Sequence, residues 1–225
     1  MAVAASMVVL AGVMPARAIE TLTLTDGAGD TATGVVSSTI PGLITFAGSV
    51  GNWTLNLSAG ISMPIIGSTT SPAMDLISVN GFNATGAKAG GNALTITFTE
   101  TGFGPTTGTI LTGISGTQSR GTVNFATSAN GAGLTSSGNL TTAPFSSSKN
   151  GSLSDYYGGL TETVVLTATG SEIVAFQATL STIGSPGSND NTPASIPDSG
   201  MTLVLLGSSL TALGLFARLR KQAGM

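Results

Sequence analysis

The chain predicts an all-β domain, an antiparallel β-sandwich with a β-barrel or jelly roll as the alternative, set between an export signal and a membrane-spanning tail. Three observations lead there. Several segments alternate apolar and polar residues with a period of two, the pattern of strands with one buried face. No segment of the body keeps a helical period, and 32 glycines work against helix. Turn-forming clusters separate the alternating runs, as antiparallel neighbours require.

From the N-terminus, Ala2–Met14 is apolar and is followed by Pro15-Ala16-Arg17-Ala18. Ala16 and Ala18 supply the small residues that precede a signal-peptidase cut, so residues 1–18 read as a secretory signal peptide and are set aside from the fold. No Lys or Arg precedes the apolar run, so a longer, positively charged leader is expected upstream.

The exported β domain is expected over residues 19–183. Its strand candidates are Thr21–Thr25, Gly42–Ala47, Asn52–Ser58, Ala73–Val79, Ala93–Thr99, Gly121–Ala126, Thr161–Thr169 and Glu172–Leu180. In Asn52–Ser58, Trp53, Leu55 and Leu57 share one side, which places Trp53 in the core. In Ala93–Thr99, Leu94, Ile96 and Phe98 oppose Thr95, Thr97 and Thr99. Gly48-Ser49-Val50-Gly51 reads as a four-residue hairpin loop, and Gly170-Ser171 as the type II′ turn of a final hairpin. Thr127 to Gly159 is poor in apolar residues and is expected to form long loops or edge strands. Residues 184–195, rich in Gly, Ser, Pro, Asn and Asp, read as a flexible linker.

Composition removes several functions. Between Ile19 and Ser195 three basic residues face nine acidic ones, a net charge of −6. With so few cations there is no patch for phosphates, so nucleic acid is not a partner. Cysteine is absent, so stability must come from the core alone, and roughly 170 residues suffice for one. Charged residues make up 8% of the chain, with Ser, Thr, Asn and Gly in their place. Such a surface suits a protein surrounded by polysaccharide or by copies of itself.

The C-terminal thirty residues are the most specific part. Ile196-Pro197-Asp198-Ser199-Gly200 precedes Met201–Ala217, seventeen uncharged residues of which six are leucine. As a helix this segment would span about 25 Å, the short end of what a bilayer accepts. Arg218, Arg220 and Lys221 open the basic tail, residues 218–225, and by the positive-inside rule stay in the cytoplasm while the body is exported. Gly207, Thr211 and Gly214 share one face of that helix, where small residues let another membrane helix approach.

Motif, helix and basic cluster together, over residues 196–221, resemble the sorting signal of exosortase substrates, the PEP-CTERM type. The match is to its Val-Pro-Asp-Ser-Gly variant, with Ile196 in place of Val. The resemblance implies an inner-membrane precursor, recognition by an exosortase-like membrane transpeptidase, and release or attachment of the body at the cell surface or extracellular matrix, in exopolysaccharide or biofilm. The competing readings are a sortase signal, from which the motif departs at two positions, and an uncleaved C-terminal anchor. The body itself resembles no family of known activity.

Few residues of the chain offer catalytic or ligand-binding chemistry. With no His and no Cys, a nucleophilic Ser or Thr lacks its usual base, and zinc lacks its usual ligands. Lys88 and Lys149 lie in Gly/Ser/Asn-rich sequence that reads as solvated loop. Glu162 and Glu172, placed in the final hairpin, are the nearest thing to a glycosidase carboxylate pair, yet neither sits among aromatics. Asp26 and Asp30 flank glycines and supply the one candidate Ca²⁺ site, with a plain turn as the competing reading. Tyr156 and Tyr157, the exposed-looking aromatic pair, are the candidate glycan-binding residues. The expectation is an exported, non-enzymatic surface or matrix protein without cofactor, acting by self-assembly or polysaccharide contact, with a glycan-binding module as the alternative.

Overall fold

The computed structural model describes residues 19–62, 65–68, 70–83 and 92–183, all within the first of two compact units, Met1–Ser188. The signal peptide, Lys88, the linker 184–195, the sorting motif, the apolar segment 201–217 and the basic tail lie outside the described residues. Among the described residues no helix is long and apolar enough to cross a membrane.

Eleven strands account for most of what is described: β1 (Ile19–Asp26), β2 (Thr31–Thr33), β3 (Val35–Val36), β4 (Leu43–Val50), β5 (Trp53–Ile61), β6 (Ala73–Asn83), β7 (Ala93–Gln118), β8 (Thr122–Ala129), β9 (Ala132–Leu140), β10 (Phe145–Thr167) and β11 (Glu172–Ile183). The fold is all-β, and all pairings between these strands are antiparallel.

Two long strands run through both layers. Residues 93–101 of β7 lie between β1 and residues 160–167 of β10. Farther along, residues 109–118 of β7 lie between β11 and residues 145–153 of β10. Between these stretches the β7–β10 register slips three times, and Gly158 there takes a φ of 125°. The continuous sheet therefore folds on itself. Its first layer is β2-β1-β7-β10-β8-β9, and its second is β3-β4-β5-β6-β11-β7-β10.

The alternation read from the sequence decides what lies between the layers. Leu22, Leu24, Leu94, Ile96, Phe98, Val164 and Leu166 face inward from the first, and Trp53, Leu55, Met74, Leu76, Val174 and Leu180 from the second; all are buried. Each such side chain contributes roughly 1.5–3 kcal/mol relative to exposure. The layers touch closely where Gly60 faces Phe98: a Cβ there would stand 3.2 Å from the ring.

The eight predicted strands all fall on observed ones, but three connections differ. Gly170-Ser171 does not close a hairpin, because β10 and β11 do not pair. Both flanks of β10 are taken by β7 and β8, and both flanks of β11 by β6 and β7, so this turn crosses from one layer to the other. The β4–β5 loop is tighter than four residues: Val50 pairs with Trp53 across Gly51-Asn52, with Gly51 at φ 56°, the first-position glycine of a type II′ turn. Thr127 to Gly159 is mostly strand. It includes β9, an edge strand as expected, and the first half of β10, whose contribution to the core is Phe145, Leu153 and Tyr156.

Candidate functional site

Most acidic side chains among the described residues are buried. Glu20 on β1 sits directly opposite Glu100 on β7, and Glu162 on β10 is the diagonal neighbour of Glu100. All three are buried on the inner face of the first layer. Glu162 has no exposed surface, and neither carboxylate oxygen has a hydrogen-bond partner among the described residues. Desolvation, with repulsion from Asp75 as a lesser cause, holds its acid well above the usual range. On the second layer, Glu172 is buried with Oε2 unpartnered, and desolvation pushes it up to about 7. Asp75, half-buried on β6, is likewise pushed up to about 7 by desolvation.

This arrangement separates the carboxylates considered for polymer hydrolysis. Glu162 and Glu172 stand on different layers, and both are sealed from solvent. Lys149 is exposed, and its backbone carbonyl accepts a bond from the Thr112 hydroxyl at 3.2 Å.

Asp26 and Asp30 form a turn whose geometry accounts for both. Asp26 Oδ1 accepts the N–H groups of Ala28 at 3.0 Å and Asp30 at 2.8 Å, an Asx-type closure. The Asp26 side chain is buried against Gly51, where no Cβ would fit. Among the described residues no three acidic, His or Cys side chains are placed to hold a metal ion.

Tyr156 and Tyr157 are separated by the strand itself. Tyr156 is 8% exposed and part of the core, whereas Tyr157 is 62% exposed. Asn130, at φ 47° in the Asn130-Gly131 turn between β8 and β9, fixes this segment. Its amide donates to Tyr157 O at 2.7 Å, while its Oδ1 accepts from Gly159 N–H at 3.0 Å and the Tyr156 hydroxyl at 3.3 Å. The Asn130 N–H also donates to Gly159 O at 2.9 Å. Burial raises the Tyr156 phenol, partly offset by the Asn130 bond. Tyr157 is thus an aromatic side chain in solvent on a backbone pinned from behind. The sequence reading missed Asn130, although Asn-Gly between alternating runs is a strong hairpin signal.

Both outer faces are hydroxyl- and amide-rich. In the first layer one cross-strand row reads Thr33, Thr23, Thr97, Thr163, and the next Thr21, Thr99, Thr161, Ser128. Thr99 and Thr161 hydroxyls meet at 2.9 Å. The second layer carries exposed Asn56 opposite Asn80, and Phe82 opposite Ile173, the latter pair 46% and 65% exposed.

No protein-family model and no curated protein matches the chain. Among solved structures it is similar to TmCBM61 in complex with β-1,4-galactotriose, at 9% identity and TM-score 0.35 over 58% of this chain and 88% of that one. It is also similar to the N-terminal cellulose-binding domain of Cellulomonas fimi β-1,4-glucanase C, at 14% identity and TM-score 0.30 over 60% and 90%. A third is the enzymatically active domain of bacteriophage CBA120 tailspike protein 4, at 13% identity and TM-score 0.35 over 59% and 19%. Likeness at this level carries no ligand or reaction over to this chain.

Proposed function

We propose that the chain is an exported, non-catalytic surface or matrix protein whose β domain acts by contact, and whose C-terminal segment is a sorting signal for an exosortase-like membrane transpeptidase. The observation that supports the first half is the direction of the acids. Glu100, Glu162 and Glu172 are buried where no polymer reaches them, while the outer rows of the first layer present threonine, serine and alanine. Proton transfer to a substrate needs a group within hydrogen-bond reach of it; contact with a neutral polymer or with another copy does not. The second half rests on Ile196–Gly200, the apolar Met201–Ala217 and the Arg218, Arg220, Lys221 cluster. Mass spectrometry of the mature protein from its own host tests it: the expected C-terminus lies upstream of the basic tail. A chain still ending in Gln222-Ala223-Gly224-Met225 refutes sorting by cleavage.

One observation favours a narrower reading, glycan binding. Tyr157 offers an exposed ring on a segment fixed by Asn130, and such pre-organisation lowers the entropy lost on binding. Tyr157→Ala should abolish retention on insoluble polysaccharides from the host matrix while leaving the unfolding midpoint unchanged. Undiminished retention by that variant would sink the assignment of Tyr157. Tyr156→Ala is the stability control, because Tyr156 packs in the core.

A further inference from the structure

Burying an acid without a cation is expensive. Glu162 is the extreme case, fully enclosed with both oxygens unpartnered. Its surroundings, element by element, offer no positive charge. On β7, Phe98 stands opposite and Glu100 diagonal to it; on β8, Thr127 stands opposite; on β1, Glu20 lies one strand beyond through Glu100. From the second layer, Asp75 of β6 adds a repulsive charge. The Thr127 hydroxyl is engaged with Thr135 of β9 at 2.8 Å, and Thr135 with Thr112 of β7 at 2.9 Å. The cations among the described residues are Arg120, whose side chain lies beside Gly170, and Lys149, which is exposed. A carboxylate in that position has nothing to neutralise it, whereas a protonated acid needs far less.

We infer that the β domain is closed by a protonated acid at Glu162, enclosed between its layers, so that the two layers hold most tightly in mildly acidic surroundings and loosen as this acid ionises. The sign follows from linkage. A carboxylic acid whose folded-state pKa lies above its unfolded value binds more protons in the folded state. Its contribution is complete below the unfolded value, near 4, and is lost as pH rises through the folded one. Glu172 and Asp75, both pushed up to about 7, act in the same direction between about pH 4 and 7, and Glu162 extends the loss above that window. A surface protein built this way would tighten in acidic microenvironments and become more open in alkaline ones, with no ligand required.

The test uses the full chain in detergent, followed by urea unfolding read from the single tryptophan, Trp53, which is fully buried. Between pH 5 and 8 the midpoint should fall by roughly 0.5 M urea or more per pH unit, since each raised group contributes a tenfold change in the folding equilibrium per unit. Glu162→Gln, which cannot ionise, should lessen that slope clearly. A midpoint that rises with pH, or a slope the same in both proteins, overturns the inference. Should Glu162→Gln fail to fold, infrared spectroscopy of the wild type decides. At pH 7 in D₂O the folded protein should show the carbonyl stretch of a protonated carboxylic acid, lost on unfolding. Its absence from the folded protein overturns the proposal independently of any variant.

Discussion

Single residues fix the places where the chain departs from regular strand. Gly51 combines a left-handed φ with a site where any Cβ would collide with the Asp26 carboxylate. Gly51→Ala should therefore cost about 1–3 kcal/mol, read as a lower urea midpoint with unchanged slope. Asn130 makes three side-chain hydrogen bonds to the 156–159 segment. Asn130→Ala should lose about 1–2 kcal/mol and weaken whatever Tyr157 binds, because the ring would keep its exposure but not its fixed position. The tyrosine pair also shows what the sequence permits at this scale. Adjacent residues on a strand point to opposite faces, so Tyr156 and Tyr157 could not both be exposed, and period two alone would have separated them. The same rule placed the acids inward in plain view: Glu100 follows Leu94, Ile96 and Phe98 at even spacing, and Glu162 lies between Leu160 and Val164. What hid them was the energetic cost of burying an acid, which made a strand-end surface position the natural expectation.

At the level of elements, strands with unbroken alternation were legible and strands interrupted by glycine were not. Ala93–Thr99 stood out, yet β7 continues to Gln118 through Gly102, Gly104, Pro105 and Gly108. Each of these interrupts the pattern without ending the ladder, because β10 carries matching irregularities between Leu153 and Leu160. Pairing partners were less legible still. Gly170-Ser171 has the chemistry of a hairpin turn, but whether β10 and β11 pair depends on which neighbours already occupy their edges, and those lie far away in sequence. The topology predicts an order of amide protection. In hydrogen–deuterium exchange, residues 94–99 and 110–116 of β7, hydrogen-bonded on both sides, should exchange most slowly. β9, at the end of its sheet, should exchange far faster. Equal protection in the two would contradict the strand order. Leu24→Ala, in a fully buried position of β1, should cost about 2–5 kcal/mol.

For the molecule as a whole, charge is scarce, and most acids among the described residues are buried. With 8% charged residues and five of its described acids buried, the domain has little surface electrostatics for salt to screen. Raising sodium chloride from about 0.05 M to about 0.5 M should move the unfolding midpoint by less than roughly 0.3 M urea. A larger shift would mean that ion pairs contribute more than the inward-facing acids imply. The placement of β11 carries a mechanical consequence. This last strand is bound along its length by β6 on one side and β7 on the other, and the chain leaves from its far end. Tension drawn along its axis from that end would meet two rungs of hydrogen bonds loaded side by side. They would have to slip together rather than peel apart in turn, so a body pulled from its carboxyl end should resist like a lap joint.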